Sequence, residues 1–102
     1  MTSAEARKLA LGLNGAVERD HHGKPSFRVG GKIFATLWDE GHMNVMLDEG
    51  GILMAVEQHP DVCSEVRWGK RLAAVRVDLE RTEPELLGQF LEEAWELRAP
   101  TS

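Results

Sequence analysis

The sequence predicts an α+β fold with three helices and about five strands, in the order α-β-β-β-α-β-β-α. Both ends of the chain repeat apolar residues at the spacing of an amphipathic helix, each behind a helix-capping signature. Between them, short β-prone runs are separated by glycine-containing turns. The run near residues 72–80 alternates apolar and polar side chains, which is typical of a half-buried strand.

Capping residues and helix breakers predict the helix boundaries. A capping box over Thr2–Glu5 marks the start of the first helix, and Asn14-Gly15 marks its end. Asp48 is a good N-cap for the second helix, which must end before Pro60 because the residue preceding a proline disfavours helical geometry. Thr82–Glu85 forms another capping box, with an early proline, before the third helix. The apolar faces of the three helices are then Ala6, Leu9, Ala10 and Leu13; Leu53 and Val56; and Leu86, Leu87, Phe90, Leu91 and Ala94.

Two turns predict the register of the first strands. Gly30-Gly31 lies between two β-prone runs and indicates a two-residue hairpin turn that pairs Phe27 with Phe34. The next turn, four residues long, then pairs Trp38 with Met43. Because paired residues share a face, the two turns agree on the same two faces. The face against the helices carries Phe27, Val29, Phe34, Trp38, Met43, Val45 and Leu47, and the opposite face carries Arg28, Ile33, Ala35, Leu37, Asn44 and Met46. The predicted strands lie near 26–30, 32–38, 43–48, 64–68 and 72–80.

Size and composition are those of a small globular protein. The chain has 102 residues, of which 42% are hydrophobic and 28% charged, and its net charge is −5. We expect one domain over residues 1–102, since this length supports one modest core. The sequence contains neither a long apolar run nor a secretory signal, and its single cysteine, Cys63, excludes an internal disulfide. These features predict a cytoplasmic protein without a membrane partner. The negative charge disfavours indiscriminate nucleic-acid binding but permits a local basic patch.

The residues that usually carry catalysis or metal binding do not form a recognisable motif. The glycines within residues 21–35 lack the G-x-G-x-x-G and Walker patterns of phosphate loops, so turns are the favoured interpretation. The four histidines lack the paired spacing of zinc ligands. A Cys63–histidine pair, or Asp20 orienting His21, is a weaker interpretation than a buried thiol and a surface charge pair. The sequence therefore predicts no enzyme, no cofactor and no metal site.

The segment Arg67-Trp68-Gly69-Lys70-Arg71 is the most suggestive cluster of side chains. Basic side chains contact phosphates and an indole can stack on a base, so the segment is typical of a nucleic-acid-binding hairpin. The alternative is a hairpin whose turn places charges in water while Trp68 packs in the core. The sheet face away from the helices raises a second question, because it is semi-apolar. Either further structure covers it or it binds a partner.

The order of these segments resembles the MmcQ/YjbR family of small bacterial proteins. The resemblance is carried by Gly23–Ala35 (GKPSFRVGGKIFA), by His59-Pro60-Asp61-Val62 and by Trp68-Gly69-Lys70, and it covers nearly the whole chain. It implies a two-layer α+β fold with a five-stranded antiparallel sheet, similar in layout to secretion chaperones. Members are described as candidate DNA-binding proteins of uncharacterised role with a "double-wing" shape. By this resemblance the hairpins at Lys32 and at Arg67–Arg71 would be the two wings.

Together these features predict a non-enzymatic binding module. The leading hypothesis is a module that binds DNA or another nucleic acid through basic hairpins. The alternative is a protein-interaction module, or a homodimer, that uses the open face of the sheet. The residues assigned to nucleic-acid binding are Lys24, Arg28, Lys32, Arg67, Trp68, Lys70, Arg71 and Arg76, and those assigned to an interaction face are Ile33, Leu37, Asn44 and Met46.

Overall fold

The computed structural model describes residues 1–100, which form three helices and one six-stranded antiparallel sheet. The strand order across the sheet is β1-β2-β3-β4-β6-β5. The predicted α+β class with three helices is confirmed, whereas the five strands and the order α-β-β-β-α-β-β-α omit one strand. The elements are α1 Ser3–Leu11, β1 Val17–His21, β2 Lys24–Val29, β3 Lys32–Asp39, β4 His42–Val45, α2 Glu49–Gln58, β5 Cys63–Trp68, β6 Arg71–Asp78 and α3 Pro84–Arg98.

The strand missing from the prediction is β1. It lies at the edge of the sheet, pairs antiparallel with β2, and is mostly exposed. An edge strand that buries so little shows no hydrophobic alternation, and its sequence VERDH looks like a charged loop. His22 and Gly23 make the two-residue turn into β2 with positive φ angles of 55° and 83°, the sign that a type I′ hairpin turn requires at both central positions.

The N-caps of α1 and α2 are confirmed. At α1, Thr2 Oγ1 accepts a hydrogen bond from Glu5 N, and Glu5 Oε1 accepts one from Thr2 N, both at 3.1 Å. At α2, Asp48 Oδ1 accepts from Gly51 N at 2.8 Å. Each cap satisfies a backbone N–H that has no acceptor within its own helix.

Two other helix ends differ from the prediction. The first helix ends at Leu11, before Asn14-Gly15. The third begins at Pro84 with Glu83 at the N-cap, so the predicted capping box is wrong. Thr82 is buried, and its hydroxyl donates to the Glu83 carbonyl at 3.3 Å. Thr82 therefore lies one residue before the N-cap, and its hydroxyl donates to a carbonyl and does not cap a helix N–H.

All three helices pack on one face of the sheet and leave the other face open. α1 and α3 contact β3, and α2 contacts β6 and β5. α2 buries Ile52 and Ala55, and the predicted Val56 packs against the core, whereas the predicted Leu53 is exposed. In α3 the predicted stripe is confirmed at Leu87, Phe90, Leu91 and Ala94.

A bulge changes the predicted register of β3. Phe27 pairs with Ala35 and Arg28 pairs with Ile33, so Phe34 is an extra residue on β3. The bulge turns both Phe34 and Ala35 toward the helices, and the strand beyond it is one residue out of step with the prediction. The predicted pairing of Phe27 with Phe34 is therefore wrong, although Phe34 is fully buried as expected.

The changed register exchanges the places of Leu37 and Trp38. Leu37 pairs with Met43 and belongs to the core at 6% exposure, so its predicted place on the open face is wrong. Trp38, predicted in the core, is a second extra residue on β3 and is 41% exposed. Its indole lies over the open face of the sheet, where it meets side chains from β2 and β6.

Candidate functional site

A row of polar residues crosses the open face of the sheet from edge to edge. Each member is the register partner of the next, strand by strand. Because partners in an antiparallel pair point to the same side, the six side chains form one line. In sheet order they are Arg19, Ser26, Thr36, Asn44, Arg76 and Ser64.

Hydrogen bonds hold this row in place. Ser26 Oγ donates to the Arg19 carbonyl at 2.8 Å and accepts from Arg28 Nε at 3.2 Å. Asn44 Oδ1 accepts from Arg76 Nε at 3.0 Å. Ser26 and Asn44 are buried even though they face away from the helices. The centre of the open face is therefore an ordered polar floor.

A cleft of about 410 Å³ lies over this floor and is lined from the β1–β2 turn to the β5–β6 hairpin. Trp38 and Trp68 line it, with Thr36, Asn44 and Met46 between them in the sheet. Its volume falls within the range of about 300–1,000 Å³ that small-molecule sites occupy. The other lining residues are His21, His22, Lys24, Ile33, Arg71, Ala73 and Arg98.

Two cations flank Trp38. Lys24 Nζ lies 4.3 Å from the centroid of the indole, and the guanidinium carbon of Arg76 lies 4.6 Å from it. Both distances are within the roughly 6 Å of a cation–π interaction. Lys24 Nζ also donates to the Trp38 carbonyl at 2.6 Å. Because β2 and β6 lie on opposite sides of β3, the cations restrain the indole from two sides.

The open face has an excess of positive charge. We call Arg19, Lys24, Arg28, Arg71, Arg76 and Arg98 the open-face cations, and within residues 1–100 none of them forms an ion pair with a carboxylate. The ion pairs of that part of the chain are made elsewhere, by Arg7, His42, Arg67 and Arg81. Seven of the seventeen acids lie on the helices, at Glu5, Glu49, Glu57, Glu85, Glu92, Glu93 and Glu96, and the others lie in strands, turns and loops.

The cleft brings together several residues that the sequence singled out. Lys24, Trp68 and Arg71 line it, and Arg28 and Arg76 lie on the same face. From the predicted interaction face, Ile33, Asn44 and Met46 line the same cleft. The two predicted sets, one for nucleic acid and one for a protein partner, therefore occupy a single surface. Their roles in binding stay predictions.

Other predicted residues lie outside the cleft. Lys32 follows the β2–β3 turn, and Lys70 lies in the β5–β6 turn, where it borders a depression next to the cleft. Arg67 forms an ion pair with Glu65, with 2.9 Å between Nη2 and Oε1. Its Nη1 also donates a hydrogen bond to the Lys70 carbonyl at 3.2 Å. Glu65 is the register partner of the buried Val75, so this ion pair lies on the helix side of the sheet.

Sequence reasoning missed Trp38, Thr36, His21, His22 and Arg98 as lining residues. An uninterrupted β3 puts Thr36 and Trp38 on the helix side, whereas the extra residue at Phe34 moves both to the open face. Arg98 reaches the cleft from the end of α3, and a sequence pattern carries no signal for such a long-range meeting.

Asp39 and Cys63, both outside the cleft, have shifted pKa values. A hydrogen bond from the His42 ring, 2.9 Å from Nδ1 to Oδ1, lowers the pKa of Asp39, and the Gly41 N–H adds to the effect. Burial raises the pKa of Cys63 to about 11, so this thiol is protonated and unreactive at neutral pH. Asp20 Oδ2 accepts from Gly23 N at 3.3 Å, a contact within the turn.

Residues 1–100 lack two further features. In this range no three His, Cys, Asp or Glu side chains gather in the manner of a metal site. Over the same range no helix has the length and apolar character that a membrane span requires.

The fold and the cleft define a small α+β domain with helices on one face and a basic, open sheet on the other. The chain belongs to the YjbR family, whose model matches residues 11–97, and the predicted family resemblance is confirmed. Its fold is similar to the crystal structure of the Deinococcus radiodurans protein DR2400, which has a DUF419 domain. The TM-score is 0.77 at 20% identity, over 94% of this chain and 77% of that one, so the likeness concerns the fold alone. No curated protein matches the chain.

Proposed function

We propose that this protein binds nucleic acid through the open face of its sheet. The observation that carries the proposal is the charge of the cleft: within residues 1–100, three cations without an ion pair, Lys24, Arg71 and Arg98, line it, and its lining includes no carboxylate. A polyanion that approaches the open face meets a local positive potential, although the whole chain has a net charge of −5. Free guanidinium groups are well suited to phosphate oxygens, which they contact with two parallel hydrogen bonds.

The sequence-based hypothesis of hairpin tips is modified in this proposal. The β2–β3 and β5–β6 turns lie at the same end of the sheet, so Lys32 and Lys70 flank the open face there. Arg67 is paired with Glu65 on the helix side and is left out of the proposed contact. The main contact surface is thus the sheet between the wings, and the wing lysines add charge at its border.

The salt dependence of binding tests the proposal. Duplex and single-stranded oligonucleotides are titrated at several salt concentrations, and the slope of log affinity against log salt is measured. Three to five phosphate contacts predict a slope of about −3 to −4.5 on duplex DNA and a shallower slope on single strands. The variant Lys70→Ala/Arg71→Ala is expected to reduce the magnitude by up to about 2, without loss of folding, because both side chains are exposed.

A matched control removes two cations from elsewhere. Lys8 is exposed on α1, and Arg81 is exposed beyond β6. The variant Lys8→Ala/Arg81→Ala changes the net charge by the same amount and is expected to leave the slope nearly unchanged. Absence of binding at low salt, or equal losses in the two double variants, would contradict the proposal.

A second candidate is a protein-interaction surface on the same face, including a homodimer. The supporting observation is apolar exposure there: Trp68 is 59% exposed, and Val17 is exposed on the edge strand. For a homodimer, sedimentation should show a dimer that Ile33→Glu dissociates, since Ile33 lines the cleft. The control Leu53→Glu changes an exposed apolar residue of α2 and should have no effect. A monomer at high concentration would argue against the homodimer.

A cytoplasmic location is part of the same proposal. Cys63 is a free, buried cysteine, and unpaired thiols persist in the reducing cytoplasm. Fractionation of cells, with the protein detected by antibody, tests the location directly.

A further inference from the structure

We infer that the cleft binds single-stranded nucleic acid, with an unpaired base stacked on Trp68 and the adjoining phosphates held by Arg71 and Arg98. This inference rests on the proposed function and adds the class of ligand. Duplex DNA shields the faces of its bases by stacking and their edges by pairing, whereas a single strand offers both to a protein surface.

Trp68 has the features of a stacking platform. It ends β5 immediately before a hairpin turn, and 59% of its surface is exposed. Among the described residues the cation–π contacts involve Trp38 rather than Trp68, so the Trp68 ring is not covered by a cation of its own chain. A large exposed indole beside a cleft is poorly explained by folding alone, because burial in the core would stabilise the protein more.

Arg71 and Arg98 place positive charge beside this platform. Trp68 and Arg71 are register partners across the β5–β6 hairpin, so they point to the same side. Arg71 and Arg98 both line the cleft, which has no carboxylate among the described residues of its lining, and the adjoining depression, which Lys70, Asp48 and Glu49 also border. A base on Trp68 would therefore have its sugar-phosphate backbone next to these guanidinium groups.

The floor of the cleft supplies polar groups for the edge of a base. Asn44 Oδ1 accepts from Arg76, which leaves the Asn44 amide N–H groups as donors. Thr36, its neighbour in the polar row, has a hydroxyl that both donates and accepts. Unpaired bases present carbonyl and ring-nitrogen acceptors on their Watson–Crick edges, so these groups are complementary.

The separation of the two tryptophans favours a strand over a free nucleotide. Trp38 is on β3 and Trp68 is on β5, and β4 and β6 lie between them. Three strand spacings of about 4.8 Å separate their backbones by roughly 14 Å across the sheet. They are also separated along the strands, because Trp68 pairs with Arg71 at the start of β6 whereas Trp38 lies near Val77 at its end. One base cannot bridge that distance, so at least two nucleotides of an extended strand are needed to fill the cleft between them.

An abasic strand, which keeps the phosphates and lacks the bases, distinguishes the contribution of stacking from that of charge. A single-stranded oligothymidylate, an abasic strand of the same length and a duplex of the same length are titrated with the full chain at low salt. We expect the oligothymidylate to bind more tightly than the abasic strand by between about fivefold and 150-fold, the range for stacking of a single base. Thymidine monophosphate, the free-nucleotide probe, should bind more weakly than the oligothymidylate.

Variants assign the effect to Trp68. Trp68→Ala should remove the preference for bases and leave abasic binding unchanged, while Trp68→Phe should retain most of the preference. Arg71→Ala should weaken both strands alike. Quenching of tryptophan fluorescence by the oligothymidylate should be smaller in Trp68→Phe and unchanged in the control Trp95→Phe, because Trp95 donates to the Asn14 carbonyl on the helix side.

The outcomes distinguish this inference from the proposed function. If the abasic strand or the duplex binds as tightly as the oligothymidylate, and Arg71→Ala weakens that binding, nucleic-acid binding stands and the stacked base is wrong. If thymidine monophosphate binds as tightly as the strand, the extended-strand ligand is wrong. If no nucleic acid binds at low salt, the proposed function fails and the inference fails with it.

Discussion

Asn44 on β4 accepts a hydrogen bond from Arg76 on β6, with 3.0 Å between Oδ1 and Nε. The same guanidinium lies 4.6 Å from the centroid of Trp38. Arg76 therefore joins the polar floor of the cleft to the indole that lines it. Asn44 is buried, so its carbonyl oxygen depends on this donor.

Removal of the donor should lower stability measurably. Arg76→Met keeps an unbranched side chain over the sheet but leaves Asn44 Oδ1 without its partner, which should lower the free energy of unfolding by about 1–3 kcal/mol. Urea titration measures the change. The control is Arg28→Met: Arg28 donates to Ser26 Oγ, but Ser26 still donates to Arg19. Equal losses in the two variants would contradict this account.

The contact between Lys24 and Trp38 should appear as a coupling free energy. A double-mutant cycle with Lys24→Met and Trp38→Ala, followed by urea unfolding, is expected to give about 0.5–1 kcal/mol, the range for an exposed cation–π pair. The hydrogen bond from Lys24 to the Trp38 carbonyl does not depend on the indole, so the cycle reports mainly on the ring. A control cycle that uses Lys32→Met at the β2–β3 turn, in place of Lys24→Met, should give a coupling free energy near zero.

The bulge at Phe34 makes a prediction about two neighbouring residues. Phe34 is fully buried under the helices, whereas Ile33 faces the cleft and is partly exposed. Phe34→Ala should therefore lower the free energy of unfolding by about 3–5 kcal/mol, and Ile33→Ala by clearly less. If Ile33→Ala were the more damaging change, the bulge would be misplaced.

The same bulge shows what sequence patterns could and could not predict. The capping pairs at Thr2 and Asp48 and the glycine turn at 30–31 are local signals, and all three were correctly predicted. The alternation rule assumes an uninterrupted strand, and one extra residue at Phe34 was enough to exchange Leu37 and Trp38 between faces.

The candidate cleft could be predicted only in part, because local signals mark some of its residues while the strand register determines the others. Lys24, Trp68 and Arg71 are basic or aromatic residues close to glycine turns, a pattern visible in the sequence, and all three line the cleft. The polar row could not be predicted, because it depends on the exact register of six strands. The ion pair between Arg67 and Glu65 on the helix side could not be predicted either, because the sequence does not show on which side of the sheet Glu65 lies.

The thiol of Cys63 should make stability depend on pH in the alkaline range. Burial raises its pKa from 9.0 to about 11, so the folded chain holds this proton more tightly than the unfolded chain. Between these two values the unfolded state loses the proton while the folded state keeps it. The free energy of unfolding should therefore fall as the pH rises from 9 to about 11, and the contribution should be fully present below pH 9.

Comparison with Cys63→Ala isolates this effect. Both proteins contain the same lysines, and the chain has no tyrosine, so the other groups that titrate in this range are shared. Urea midpoints measured from pH 8 upward should decline more steeply for the wild type than for Cys63→Ala. The substitution should also lower stability at every pH through the lost packing of a buried side chain, so the slope rather than the midpoint decides. Parallel curves for the two proteins would show that the thiol titrates alike in the folded and unfolded chains, and the assigned burial of Cys63 would be wrong.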